Sequence, residues 1–309
     1  MIDGERILTL SDSEWPERLN ELGGDLPPEK LHVSGRILDP DKIFIAVVGT
    51  RRPTVSGVEI ATTMARSFAE AGFVVVSGLA MGIDAAAHRA CIEAGGHTVA
   101  ILGCGLDVDY PKSNSKLRAA IAGVGTLITE YEAGTPPHAY NFPKRNRIVA
   151  GLVHAVVVVE GGTRSGSLIT ARLGIEYGRE VFAVPGNPRN LMSLAPNELI
   201  RTSQAALATC PEHVFEVLAP QQAWSEPCDA RAMRPAPQVD GEELTALFAL
   251  DEIPTTPDRI ALAANLAPGR VLMVLAKLEV RGLVRKRRMG YEITATGARA
   301  RASAPDVAS

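Results

Sequence analysis

Residues 141–171, NFPKRNRIVAGLVHAVVVVEGGTRSGSLITA, constrain the fold more than any other stretch of the chain. Residues 156–159 are an unbroken run of valines of strand length, the pattern of a parallel strand covered on both faces. Ahead of this strand lies an apolar helical stretch that opens on Phe142, Lys144, Arg145 and Arg147. Behind it comes Gly161-Gly162-Thr163-Arg164-Ser165-Gly166-Ser167, a loop with the composition of a phosphate cradle opening a helix. Glycines let a backbone approach a ligand closely, Ser165 or Ser167 can cap, and the first free N–H groups of the helix point outward. An anion site beside cations and an aromatic ring suits a ligand that carries both phosphates and bases.

Strand, loop and helix alternate through the rest of the first two thirds. Apolar runs at 43–48, 73–76, 98–102, 127–129, 155–159 and 181–184 read as strands. Between the first two, Ala61, Met64, Ala65 and Phe68 share one helical face, and Asp84 is placed to cap a helix over 85–93. Such alternation implies an α/β domain with a mainly parallel sheet, whose ligands bind beyond the carboxyl ends of the strands. The loops 49–53, 77–84 and 161–167 all follow strands, so they gather on one rim. Residues 1–40 form a short N-terminal extension, with Trp15, Leu19 and Leu22 at helical spacing and a small strand at 31–33. The α/β domain occupies 41–218, a proline-bearing linker without periodicity 219–240, and a tail 301–309. Within 241–300, three helices and a hairpin match a winged helix, with Arg285, Lys286, Arg287 and Arg288 on its wing.

A net charge of −3 recruits no polyanion by itself, so a nucleic-acid site must be a local basic patch. Cys91, Cys104, Cys210 and Cys228 show no CxxC spacing, which favours reduced, structural thiols and argues against a metal site. Acids near the N-terminus and the absence of a long apolar run point to a cytoplasmic protein with no membrane contact. Gly161 and Gly166 have the spacing of an NTPase phosphate loop, but Ser167 and Leu168 follow where Lys and Ser or Thr would hold phosphate and Mg²⁺. The sequence holds no HExxH, no GxSxG and no evident pair of catalytic carboxylates, and His88 reads as structural. The chemistry is therefore binding: no enzyme, no cofactor, no metal. Arg51 and Arg52 can clamp phosphates in bidentate fashion; being adjacent they diverge, so at most one faces the crevice. Phe142 offers a stacking face worth about 1–3 kcal/mol per base. Arg147 is positioned to pair with an acid such as Glu130 or Glu160.

Six ordered blocks resemble the DNA-processing protein A (DprA/Smf) family. They are Val48-Gly49-Thr50-Arg51-Arg52, Ser77-Gly78-Leu79-Ala80-x-Gly82-Ile83-Asp84-x-x-Ala87-His88, and Gly105-Leu106-Asp107-x-x-Tyr110-Pro111. Phe142-Pro143-x-Arg145-Asn146-Arg147-Ile148, Ser165-Gly166-Ser167-Leu168-Ile169-Thr170-Ala171 and Ala183-Val184-Pro185-Gly186 complete the set. The resemblance implies an extended Rossmann-like, doubly wound domain with a C-terminal winged helix. It implies a protein that binds and protects single-stranded DNA, forms a homodimer and loads RecA recombinase in natural transformation. Carried over by position, the DNA site comprises Thr50, Arg51, Arg52, Gly78, Phe142, Lys144, Arg145, Asn146, Arg147, Ser165, Gly166 and Ser167. Met81 and Ala139 stand where the family commonly carries basic residues. The competing reading is a Rossmann-type nucleotide-processing enzyme. Glu160-Gly161-Gly162-Thr163 partly resembles the loop of the lysine-decarboxylase-like phosphoribohydrolases, without its proline or its Gly-Thr end.

Overall fold

A computed structural model describes residues 5–22, 27–220, 237–251, 253–287 and 289–302, in two compact units. The first is built on a sheet whose strands are β1 (Arg6–Thr9), β2 (Lys30–Gly35), β3 (Phe44–Val48), β4 (Val74–Ser77), β5 (Thr98–Ile101), β6 (Thr126–Thr129), β7 (Ala155–Val158), β8 (Glu180–Ala183) and β9 (Ala206–Leu207). Their spatial order is β1-β2-β6-β5-β4-β3-β7-β8-β9. From β6 to β9 every pairing is parallel, while β2 joins β6 and β1 joins β2 antiparallel. The valine run behaves as its composition requires: β7 is fully buried and pairs with β3 and β8 in register, Val157 opposite Val47 on one side and Phe182 on the other. Parallel strands need crossovers, supplied here by α1 (Val55–Glu70), α2 (Ile83–Glu93), α3 (Ser115–Val124), α4 (Asn141–Leu152) and α5 (Gly166–Glu176). Ala61, Met64, Ala65 and Phe68 of α1 are all buried, as their spacing predicts.

Some expectations need correction. The lead-in helix is a single 3-10 turn, Glu17–Asn20, although Trp15, Leu19 and Leu22 are buried as expected. Asp84 does not cap α2. That position is Gly82, with φ +86°, and the Asp84 carboxylate reaches back to accept from Gly78 N at 3.0 Å. Cys91 and Cys104 are free, buried thiols, but Cys210 is disulfide-bonded. The lack of a CxxC spacing bears on metal and redox motifs and is blind to a bridge closed by the fold. Cys228, Arg288, linker residues 221–236 and tail residues 303–309 lie outside the described residues. Among the described residues, no single helix is long and apolar enough to cross a membrane.

The second unit has helices Gly241–Phe248, Pro257–Ala264 and Pro268–Val280, the hairpin β10 (Val284–Arg287) and β11 (Gly290–Ile293), and a closing helix Ala295–Ala302. Asp240 and Glu243 form a capping box at its first helix. Leu247, Val271, Leu275, Leu278 and Leu283 form its core, while Phe248, marked by sequence as a companion of Leu244 and Leu247, is 62% exposed.

Candidate functional site

β3 is where the order of the sheet reverses: β4, β5 and β6 are laid down on one side of it, β7 and β8 on the other. Loops leaving β3 and β7 part at their carboxyl ends and leave a crevice. A cavity of about 620 Å³ opens there. It is lined by Thr50, Arg51, Arg52, Gly78, Phe142, Arg145, Asn146, Ser165, Gly166 and Ser167, with Asp84, Tyr110, Pro137, Ala139 and Met192 among their neighbours. Both arginines after β3 line it, so the expectation that only one faces the crevice is too strict.

Backbone contacts stitch the rim together. Thr50 N donates to Glu160 O at 2.7 Å, and Ile83 N donates to Thr50 O at 3.2 Å, joining the loops after β3, β4 and β7. Gly82 permits this approach, because a Cβ there would lie 2.9 Å from Arg51 Cα on a left-handed backbone. At the entry to α5, Ser165 is the cap. Its Oγ accepts from Ser167 N at 3.4 Å and lies 2.7 Å from Ser167 Oγ. Asn146 Nδ2 donates to Gly166 O at 3.3 Å, tying α4 to this helix start. A Cβ on Gly166 would meet only open space, so the backbone here is accessible to a ligand.

Arg145 forms the cavity floor. It is only 4% exposed, and its Nη1 donates to Gly78 O at 2.9 Å and to Ile101 O. Gly78 must lack a side chain, since a Cβ would lie 2.7 Å from Arg145 Cζ. Burial pulls the guanidinium pKa down to about 10, with Asp84 acting in the opposite sense, so it stays cationic at neutral pH. Phe142 packs on Gly103, where a Cβ would come within 2.9 Å of its ring. Tyr110 lies 5.4 Å from the Phe142 ring, and Arg51 Cζ stands 5.7 Å from its centroid.

Lys144 and Arg147 are not in the cavity. They line a neighbouring depression of about 770 Å³ with Pro27, Pro28 and Glu130. Helix geometry separates them, because residues 142, 145, 146 and 149 share one face of α4 while 144 and 147 lie on another. Arg147 Nη2 donates to Glu130 Oε2 at 2.6 Å, the pairing expected from sequence, and Lys144 Nζ is 3.6 Å from the same oxygen. Pro143 and Ile169 border both hollows. Tyr110, which lines the cavity, was missed as a site residue; its place in the loop between β5 and α3 was the available signal. No group of three or more His, Cys, Asp or Glu side chains among the described residues could hold a metal ion. Asp84 is the carboxylate on the cavity lining, and it is held by Gly78 N in the field of Arg145.

Comparison with known proteins agrees with this geometry. Residues 6–219 match the family described as DNA recombination-mediator protein A, and residues 230–287 match the DprA winged helix domain. Protein Smf of Synechocystis sp. is 37% identical over 268 residues, 78% of this chain and 67% of its own length. DNA processing protein A from Streptococcus pneumoniae superimposes with a TM-score of 0.64 and 38% identity, over 69% of this chain and 74% of its own. A structure on the single-stranded DNA binding mode of DNA processing protein A from Helicobacter pylori gives a TM-score of 0.62 at 31% identity, covering 71% of this chain and 98% of that one.

Proposed function

The chain belongs to the DNA recombination-mediator protein A family, and from that premise we propose that it is a non-enzymatic binder of single-stranded DNA which grips the strand in the cavity beside β3. The observation that carries this reading is the meeting of a buried cation, exposed arginines, a helix start and an aromatic ring in one crevice. Arg51, Arg52 and the backbone at Ser165, Gly166 and Ser167 take phosphates. Phe142 stacks a base, and Thr50, Gly78, Arg145 and Asn146 shape and charge the floor. Lys144, whose side chain is 57% exposed, adds positive potential beyond Pro143, while Arg147 holds Glu130 in place. The Helicobacter pylori relative, whose structure concerns single-stranded DNA binding, supports the same assignment.

The finer part of the proposal rests on family membership. The protein acts as a cytoplasmic homodimer, protects incoming single strands and passes them to RecA recombinase. A nucleotide-processing reaction finds less support, because Glu160 is not among the residues that line the cavity.

Titration of fluorescent oligo-dT at several salt concentrations tests the binding reading. If about four phosphates are neutralised, log K falls with log salt at a slope near −3, and Arg51→Ala makes the slope shallower by about 0.7 while weakening all sequences alike. Binding indifferent to salt, or release of free base from nucleoside monophosphates, would overturn it.

A further inference from the structure

The aromatic groups around the cavity do not end with Phe142. On the loop leading into α4, His138 and Tyr140 stack with ring centroids 5.2 Å apart and planes 8° from parallel. Tyr140 is 70% exposed, whereas Phe142 is half-buried against Gly103 and Tyr110. An aromatic ring left in water forgoes burial worth about 25 cal/mol per Å².

The loop that presents this ring is fixed. His138 N donates to Pro136 O at 2.9 Å, and Asn141 N donates to His138 O at 3.0 Å. Asn141 Nδ2 donates to Gly103 O at 3.0 Å and to Pro136 O at 3.4 Å, anchoring the loop to the end of β5. Pro137 and Ala139, which flank His138 on either side, line the cavity, so the stacked pair stands at its rim. A pre-oriented π-face beside an anion-binding crevice matches a nucleobase, and a tyrosine with two side-chain torsions loses little entropy on contact.

Resting on the single-strand reading above, we propose that Tyr140, backed by His138, is a second stacking platform. It receives a base outside the cavity, next to the one taken by Phe142. The ligand class is any unpaired nucleobase, since every base has a π-face.

Oligo-dT affinity of the full-length chain tests this by fluorescence anisotropy. Tyr140→Ala should weaken binding about tenfold and Tyr140→Phe should leave it nearly unchanged. The slope of log K against log salt should be the same in all three proteins, because a neutral ring neutralises no phosphate. On a fully abasic oligonucleotide of the same length, the unaltered chain and Tyr140→Ala should bind equally. A Tyr140→Ala protein that binds oligo-dT like the unaltered chain, or one equally weakened on the abasic strand, would overturn the platform while leaving the cavity reading intact. Failure of the unaltered chain to bind either strand would instead remove the parent reading.

Discussion

His88 is fully buried on α2, with Nδ1 2.7 Å from Thr98 Oγ1. Thr98 donates its own proton to Val75 O at 2.9 Å, so Nδ1 is the donor and Nε2 finds no partner among the described residues. Burial, reinforced by Arg145 and Arg89, pulls the His88 pKa down to about 3, and burial likewise takes His97 and His154 down to about 4. Each folded-state value lies below the unfolded one, so the unfolded chain takes up protons that the folded chain refuses. The stabilisation is therefore complete above pH 6.5 and is lost as pH falls toward 3–4. At about 1.4 kcal/mol per unit, His88 alone should cost roughly 2 kcal/mol between pH 6.5 and pH 5. Urea midpoints measured across that interval should decline, and His88→Gln should flatten the decline. A midpoint constant from pH 7 to pH 5 would contradict this. Sequence placed His88 as structural, but its partner Thr98 comes from β5, which no local spacing reveals.

Among the elements, α5 depends on its first turn. Ser165→Ala removes the cap and the 2.7 Å contact with Ser167 Oγ, and should cost about 0.5–2 kcal/mol of stability by chemical denaturation. A loss below a few tenths would mean that the neighbouring Asn146–Gly166 bond carries the helix start instead. The convergence of this turn with the loops after β3 and β4 was legible in the sequence, because parallel strands put all such loops on one rim. Side-chain direction on α4 was legible only in part. The ion pair of Arg147 with Glu130 was expected, but nothing in the string RNR showed that Arg145 would be buried as the cavity floor while Arg147 stands outside it. β1 was also missed, since its burial pattern shows one buried residue among exposed and half-buried ones, and a two-residue β9 leaves no periodicity to read.

In the whole molecule, the C-terminal unit has the outline of a duplex reader, but its third helix does not have the surface of one. The cations of helix Pro268–Val280 and the residue just after it are engaged within the unit: Arg270 pairs with Glu242, Lys277 with Asp240 and Glu243, and Arg281 with Glu243. What this helix shows to solvent includes Leu272, Met273 and Val280, the last 89% exposed. Helices that read duplex DNA present free donors and cations to base edges and phosphates. Removing residues 219–309 should therefore leave oligo-dT affinity within about twofold, the scale of coupling between independent sites. A collapse of affinity would move the main grip into this unit. The winged-helix outline was readable from three helices and a hairpin. The neutralisation of Arg270, Lys277 and Arg281 was not, because their acidic partners Asp240, Glu242 and Glu243 come from the first helix of the unit and its cap.

The crevice beside β3 is an interval created by the route of the backbone, where the chain finishes one flank of the sheet and begins the other. Its location is thus set by strand order, and its character by a few loop residues that the strands do not need for their pairing. Exchanging those residues should retune what the protein holds while the scaffold beneath stays as it is, so new ligand preferences lie only a few substitutions away from the present one.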